Sequence, residues 1–205
     1  MSGKEMEICG CGWWYYPSYY ETLVKLRYSG GPAAVVIRHQ PGDTTGLLCI
    51  DRENTGLEWG AYSYYLDRVW NGRSNVLFTQ DDVEVKDIKF FGWAATITED
   101  ICFIFNNPSE ASYNGTAHGR MFFASSRFLT TAKKLGGFWY DKGNKGFIAK
   151  GNYRTEQPPP GCSHHNAGIH AFTNFVPKIR KYNPEIRKRT FLCDSRVKLG
   201  RRGKF

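Results

Sequence analysis

The sequence predicts an α+β fold: a β-sandwich-like core flanked by helices, with a basic arm at the C-terminal end. Three observations predict it. Short runs of β-branched and aromatic residues, bounded by turn residues, recur through the first half of the chain. A later stretch carries apolar residues at Ala117, Met121, Ala124, Phe128, Ala132 and Leu135, steps of three and four that mark one face of a helix. The positive charge is segregated: eleven Lys and Arg lie between 178 and 205 against Glu185 and Asp194, so the whole formal net charge of +9 sits there and residues 1–177 are neutral.

In chain order, residues 1–156 read as a globular β-rich domain, 157–161 as a polyproline spacer and 162–205 as the basic arm. Residues 9–20 hold six aromatics without a clear period, Trp13, Trp14, Tyr15, Tyr16, Tyr19 and Tyr20. So much apolar area needs cover, from the chain's own domain or from a neighbouring subunit. Residues 21–28 suit a short helix or a strand, ended by the turn at 29–32. The runs 33–38 and 47–51 read as a hairpin, and 57–70 as a helix stopped by Asn71-Gly72. Strands follow at 76–79, 83–91, 94–98 and 101–105, with turns at Asp81-Asp82 and Glu99-Asp100. The central helix spans 116–135, capped by Thr116, with Lys133 and Lys134 in its last turn and Gly136-Gly137 as its stop. A further hairpin is expected at 138–140 and 147–149, short helical turns at 173–182 and 184–188, and an extended end at 199–205.

At 205 residues, 41% hydrophobic and 16% aromatic, the chain suits one globular domain with an arm. No run approaches the roughly 18 apolar residues of a membrane span, and no apolar segment follows the charged N-terminus, so a soluble protein of a reducing compartment without membrane partners is expected. Cys9, Cys11, Cys49, Cys102, Cys162 and Cys193 are too widely spaced for a disulfide scaffold and read as buried thiols.

Candidate chemistry is sparse. Cys9, Cys11, Cys162 and His164 or His170 supply zinc-ligand types, but not at the two-residue gaps of paired structural ligands. Cys49 or Cys162 with His39, His118 or a later histidine meets the composition of a Cys–His enzyme, as any chain with six Cys and five His would. There is no phosphate-cradling Walker sequence and no Gly-x-Gly-x-x-Gly. Asp81-Asp82 and Glu99-Asp100 read as solvated turns, and His118 as a helix-start histidine kept neutral by the dipole. No enzyme, metal site or cofactor is expected from these residues.

The order Asn107-Pro-Ser, Ser112-Tyr-Asn, Gly115-Thr-Ala-His, then Met121 and a helix-length apolar face to Lys134, after the run 101–105, resembles the corresponding segment of cypovirus polyhedrins. The resemblance covers residues 107–134 and implies a β-sandwich core flanked by helices. It implies trimers packing into a crystalline occlusion body that encloses and protects virus particles in the host-cell cytoplasm. Partners would be copies of the chain and the virus particle. Some members hold nucleotides in the lattice, which no residue here places. The chain departs from the family in a shorter middle and a long basic arm. Six Trp, twelve Tyr and fourteen Phe, more than a core of this size usually needs, suit interfaces.

The arm has two functional readings beside a solvated tail. Lys178, Arg180, Lys181, Arg187, Lys188, Arg189, Arg196, Lys198, Arg201, Arg202 and Lys204, interleaved with Tyr182, Phe191 and Phe205, suit polyanion binding or lattice contacts. The alternative function is therefore a nucleic-acid-binding structural protein, capsid or ribosome-associated. On either reading, removal of residues 178–205 is expected to leave a folded body.

Overall fold

Strand β1 (Met6–Gly12) runs through the middle of the sheet, paired in parallel with β2 (Ala34–Arg38) on one side and β4 (Asn75–Gln80) on the other. The computed structural model describes residues 5–12, 16–39, 46–52, 57–104, 120–137, 179–187, 190–191 and 194–199. Beyond β2 lies β3 (Leu48–Asp51), also parallel. Beyond β4 come β7 (Met121–Ala124), β6 (Ile101–Phe103) and β8 (Thr190–Phe191), giving the order β3-β2-β1-β4-β7-β6-β8. β7 is antiparallel to both its neighbours, and the other six strands share one direction. A two-stranded ribbon, β5 (Val83–Val85) with β9 (Val197–Leu199), stands apart.

Alternation along the strands sorts the core into two layers. On one face Cys9, Cys11, Val76, Phe78 and Phe122 pack under α2 (Leu57–Arg68) and α4 (Ser126–Lys134). On the other, Ile8, Val36, Leu77, Met121 and Phe123 pack under α1 (Pro17–Tyr28), α3 (Lys89–Ala94) and the ribbon. Phe78 and Phe122 stack at 4.8 Å between centroids, and Tyr62 meets Phe78 edge-on at 5.0 Å. The α+β class holds. Among the described residues its second layer of strand is confined to the ribbon, because the parallel half buries both faces and needs helices to return the chain.

Several local expectations change. Residues 21–28 belong to α1, which starts at Pro17 after extended Tyr16 and buries Tyr19, Tyr20, Leu23 and Leu26 on one face. The runs 33–38 and 47–51 are adjacent but parallel, pairing Ile37 with Ile50 in one direction, so they are no hairpin. The run 83–91 is a strand only to Val85. Asp87 then accepts from the Lys89 amide and opens α3, whose Phe90, Phe91 and Ala94 are buried together, and 94–98 continues as the turn after it. Of the central helix expected at 116–135, residues 121–124 are strand β7 and the helix begins at Ser126. Met-Phe-Phe-Ala is buried on both faces, a pattern that an apolar helix stripe also satisfies. Ser125, rather than Thr116, is the cap, accepting from the Phe128 amide, while Lys133 and Lys134 do lie in the last turn. Gly136 and Gly137, at φ 96° and 89°, end the helix in the left-handed region. Thr116, His118, the hairpin at 138–149 and the polyproline spacer lie outside the described residues.

The described residues between 179 and 199 pack against the body. Ile179, Ile186 and Val197 are buried, β8 extends the large sheet beside β6, and β9 pairs with β5. The Arg187 amide donates to Asp100 Oδ2 at 2.7 Å and its guanidinium to the Thr98 carbonyl at 2.8 Å. Residues 162–178 and 200–205 of the expected arm lie outside the described residues. The sequence shows its charge, while the three apolar residues that anchor it are too far apart to make a period.

Asp100 is a junction. It accepts from the Ser125 hydroxyl, pairs with Arg127 and receives the Arg187 amide. Burial alone would raise its carboxyl, but these contacts together hold it below the usual range. A carboxyl depressed in the folded state stabilises fully above its unfolded pKa, about 3.9, and the contribution is lost as pH falls through the folded value. Asp100→Asn should therefore flatten the acid limb of the stability-versus-pH curve below about pH 4; an unchanged acid limb in urea titrations would refute that role. Met121, fully buried on β7, gives a second test. Met121→Asp should lower stability by more than the roughly 2–5 kcal/mol of a Met→Ala cavity, since it also desolvates a charge. An equal effect from Asp at exposed Thr130 would count against this placement.

Candidate functional site

From β1 the chain builds outward through α1 to β2 and β3, and α2 then carries it back to β4 on the other side of β1. The two helices lie on opposite faces. In open sheets of this kind, ligands enter the crevice outside the carboxyl ends of the two strands flanking that reversal. Here those ends are Gly12 on β1 and Gln80 on β4.

The residues directly after β4 are Asp81 and Asp82. The Asp81 amide donates to the Cys11 carbonyl at 3.0 Å, which holds the acidic pair against the end of β1. Both carboxylates are buried, at 1% and 3% exposure, as is Glu58 in the first turn of α2. Their burial corrects the expectation of a solvated turn. Arg120 precedes β7, and its carbonyl accepts from the Gln80 amide at 2.8 Å. Its Nη1 reaches Asp82 Oδ2 at 3.1 Å, with only 12% of its side chain exposed. Burial pushes the Glu58 carboxyl above its usual range and Asp82 adds to this, while Arg120 opposes it.

The Asp81 charge acts on Tyr19 and Tyr20 of α1 and on Cys11 in the other layer. Burial above all, then the neighbouring tyrosine for Tyr19 and Asp81 for both, pushes the phenols of Tyr19 and Tyr20 up. These phenols decide what the β1–α1 turn can bind. A Cβ at Gly10 would collide with the Tyr19 hydroxyl, and one at Gly12 with that of Tyr20. The space left by the two glycines is thus filled by the protein's own side chains. In a dinucleotide-binding turn the same freedom lets pyrophosphate approach the backbone. Residues 10–24 contain no Lys or Arg to neutralise phosphate. Diphosphate charge in this crevice therefore needs a counter-charge from elsewhere.

The rim is completed by the ends of β2 and β3. Arg38 donates to Asp51 through Nε at 2.6 Å and Nη2 at 2.8 Å. The His39 amide donates to the Gly12 carbonyl at 2.8 Å, while its imidazole Nδ1 lies 3.2 Å from the Arg52 carbonyl just past β3. At the opposite edge, where the Ser126 amide meets Asn75 Oδ1, an open cavity of about 430 Å³ is lined by Arg73, Arg127, Lys134 and Asn183 among others.

Of the aromatics expected at an interface, Tyr19 and Tyr20 are buried in the chain's own core and Tyr16 is half-buried; Trp13, Trp14 and Tyr15 lie outside the described residues. Of the basic residues, Arg180 and Lys181 are exposed, Arg187 is tied to Thr98 and Asp100, and Arg196 pairs with Asp194 and lies 4.7 Å over the Trp93 ring. Lys198 is on β9; Lys178, Lys188, Arg189, Arg201, Arg202 and Lys204 lie outside the described residues. Cys9 and Cys11 are buried in the sheet, where desolvation pushes both thiols up, and Cys162, His164 and His170 are not described. Among the described residues no group of three or more His, Cys, Asp or Glu is arranged to hold a metal, and no helix is long and apolar enough to cross a membrane.

No family model matches the chain, and no curated protein matches it. Among solved structures, one described as a mycobacterial protein is similar at 13% identity and a TM-score of 0.47, over 63% of this chain and 56% of that one. The bifunctional IspDF from Campylobacter jejuni is similar at 9% identity and a TM-score of 0.43, over 93% of this chain and 50% of that one. The chain thus spans about half the length of each. Neither likeness is close enough to carry chemistry across, and the site stands on its own geometry.

Proposed function

We propose that the protein is a divalent-cation-dependent transferase whose donor is a sugar linked to a nucleoside diphosphate. The observation that carries this reading is the buried pair Asp81-Asp82 at the carboxyl end of β4, beside the end of β1, at the reversal of the sheet. One or two carboxylates together with substrate phosphates is a usual way to hold Mg²⁺, so three protein ligands are not required. A cation bound there would neutralise the diphosphate as it leaves, a task for which the β1–α1 turn has no basic residue. A triphosphate donor would bring more charge to the same turn, which favours the diphosphate.

In the transfer, an acceptor hydroxyl forms a bond to the sugar's anomeric carbon as that carbon's bond to the diphosphate oxygen breaks. The nucleoside diphosphate leaves with the electron pair, and the acceptor's proton passes to solvent or to the leaving group. Asp81 and Asp82 would fix the diphosphate end.

This reading departs from the expected non-enzymatic lattice protein. The compositional support for self-assembly is a surplus of aromatics, yet Trp59, Tyr62, Tyr65, Phe78, Phe90, Phe91, Phe103, Phe122, Phe123 and Phe128 all lie in the chain's own core. The test is thermal melting with Mn²⁺ and a panel of nucleoside diphosphates, followed by assay of nucleoside diphosphate release from the matching nucleotide sugars. One base should raise the melting temperature only when Mn²⁺ is present, and EDTA should reverse it. A panel with no metal-dependent shift and no release would overturn the reading.

A further inference from the structure

The Arg120–Asp82 ion pair bears on how this site would load, a role that rests on the transferase reading. Arg120 is the cation whose ion pair with the acidic pair is described, and its guanidinium sits where positive charge compensates Asp82 and, at longer range, Glu58. The backbone of Arg120 is fixed by the β4–β7 ladder through the Gln80 amide, so the side chain alone can move. Its Nε is buried and has no hydrogen-bond partner among the described residues, which leaves the group with an unused donor.

We propose that Arg120 is a positioning residue that makes cation binding conditional on the diphosphate: in the empty site it occupies Asp82, and on loading it exchanges Asp82 for the diphosphate oxygens. The physical case is one of charge. A divalent cation that takes Asp82 strands a nearly buried guanidinium, and leaving a buried charge unpaired is costly. A cation arriving alone must overcome that loss. A cation arriving with a diphosphate supplies Arg120 with a new anionic partner, for which the planar guanidinium with its five donors is suited. The cation and the diphosphate thus each bind better in the other's presence, and the coupling is reciprocal. The exchange would also place Arg120 on the leaving group, where negative charge grows during transfer.

The experiment is Mn²⁺ binding, followed by the loss of the free-ion paramagnetic resonance signal, with and without inorganic pyrophosphate as a diphosphate that carries no base, and corrected for the Mn²⁺–pyrophosphate complex measured without protein. The wild-type chain should bind Mn²⁺ weakly alone and at least tenfold more tightly with pyrophosphate. Arg120→Met should bind Mn²⁺ alone about tenfold more tightly than wild type and lose most of the pyrophosphate effect. Arg120→Lys, which keeps the charge and is the variant to read if Arg120→Met does not fold, should keep weak binding alone and retain only part of the enhancement. Wild-type binding of Mn²⁺ with the same affinities and the same enhancement in both folded variants would overturn the role of Arg120 while leaving the cation site standing. Absence of Mn²⁺ binding by wild type, with or without pyrophosphate, would overturn the cation site itself and this inference with it.

Discussion

A chain truncated before Ile179 is expected to lose its cooperative thermal transition altogether. The deletion removes three buried apolar side chains, Ile179, Ile186 and Val197, each contributing roughly 1.5–3 kcal/mol when fully buried. It also strips β8 from the edge of β6 and β9 from β5, and takes the Arg187 amide from Asp100. Phe90 and Trp93 lose the Arg196 guanidinium that lies over both rings. Together these losses match or exceed the 5–15 kcal/mol by which domains of this kind are usually stable. Circular dichroism and calorimetry of the truncated chain should show no sharp transition and increased binding of apolar dyes. A transition retained within a few degrees of the full chain would mean that the last residues are an arm after all.

Asp82→Asn is expected to reduce donor turnover by about a thousandfold, the order seen when a group that stabilises developing charge is removed from a closed site. The substitution keeps shape and volume, so the backbone contacts of the turn survive; what changes is the charge facing Arg120 at 3.1 Å. Stability should fall as well, by about 3 kcal/mol or more, because the guanidinium is nearly buried and loses its counter-ion. Asp51→Asn is the matching control. That carboxylate also meets an arginine, Arg38, but it is 69% exposed, where solvent screening leaves such a pair little weight in stability. Turnover and melting temperature measured for both variants decide the matter. If Asp82→Asn retains wild-type turnover, Asp82 has no part in the chemistry.

The contrast between what the residues reveal and what they conceal has a physical origin. Helix α2 and strand β4 are legible because their apolar periods are long and their stops, Asn71-Gly72 and the acidic pair, are sharp. β1 is not. It is the central strand, yet its residues are Met-Glu-Ile-Cys-Gly-Cys-Gly, small at the positions where Tyr19 and Tyr20 must fit, and low in β-propensity for that reason. Without β1 the parallel pairing of β2, β3 and β4 is invisible, and without the parallel pairing the carboxyl edge of the sheet has no meaning. Asp81-Asp82 then reads as one turn among several. Residue type alone makes the pair visible, and only the reversal of the sheet gives it significance. The basic residues show the opposite failure: charge is obvious in sequence, but whether it belongs to a free segment depends on a few isolated apolar anchors.

The pairing of β9 with β5 and of β8 with β6 has a consequence for biogenesis. Val83 meets Leu199, and Cys102 meets Thr190, each across about half of the chain's length. Contacts so distant in sequence close late and slow the search for the native state. During synthesis, β5 and β6 emerge early and wait, the second as an unpaired apolar edge of Ile101, Cys102 and Phe103, until residues 190–199 have cleared the ribosome. A nascent chain stalled in that interval presents a ready template for pairing with another copy. Pausing, or loss of chaperone cover, between about residues 104 and 199 should therefore yield aggregates rather than a folded intermediate.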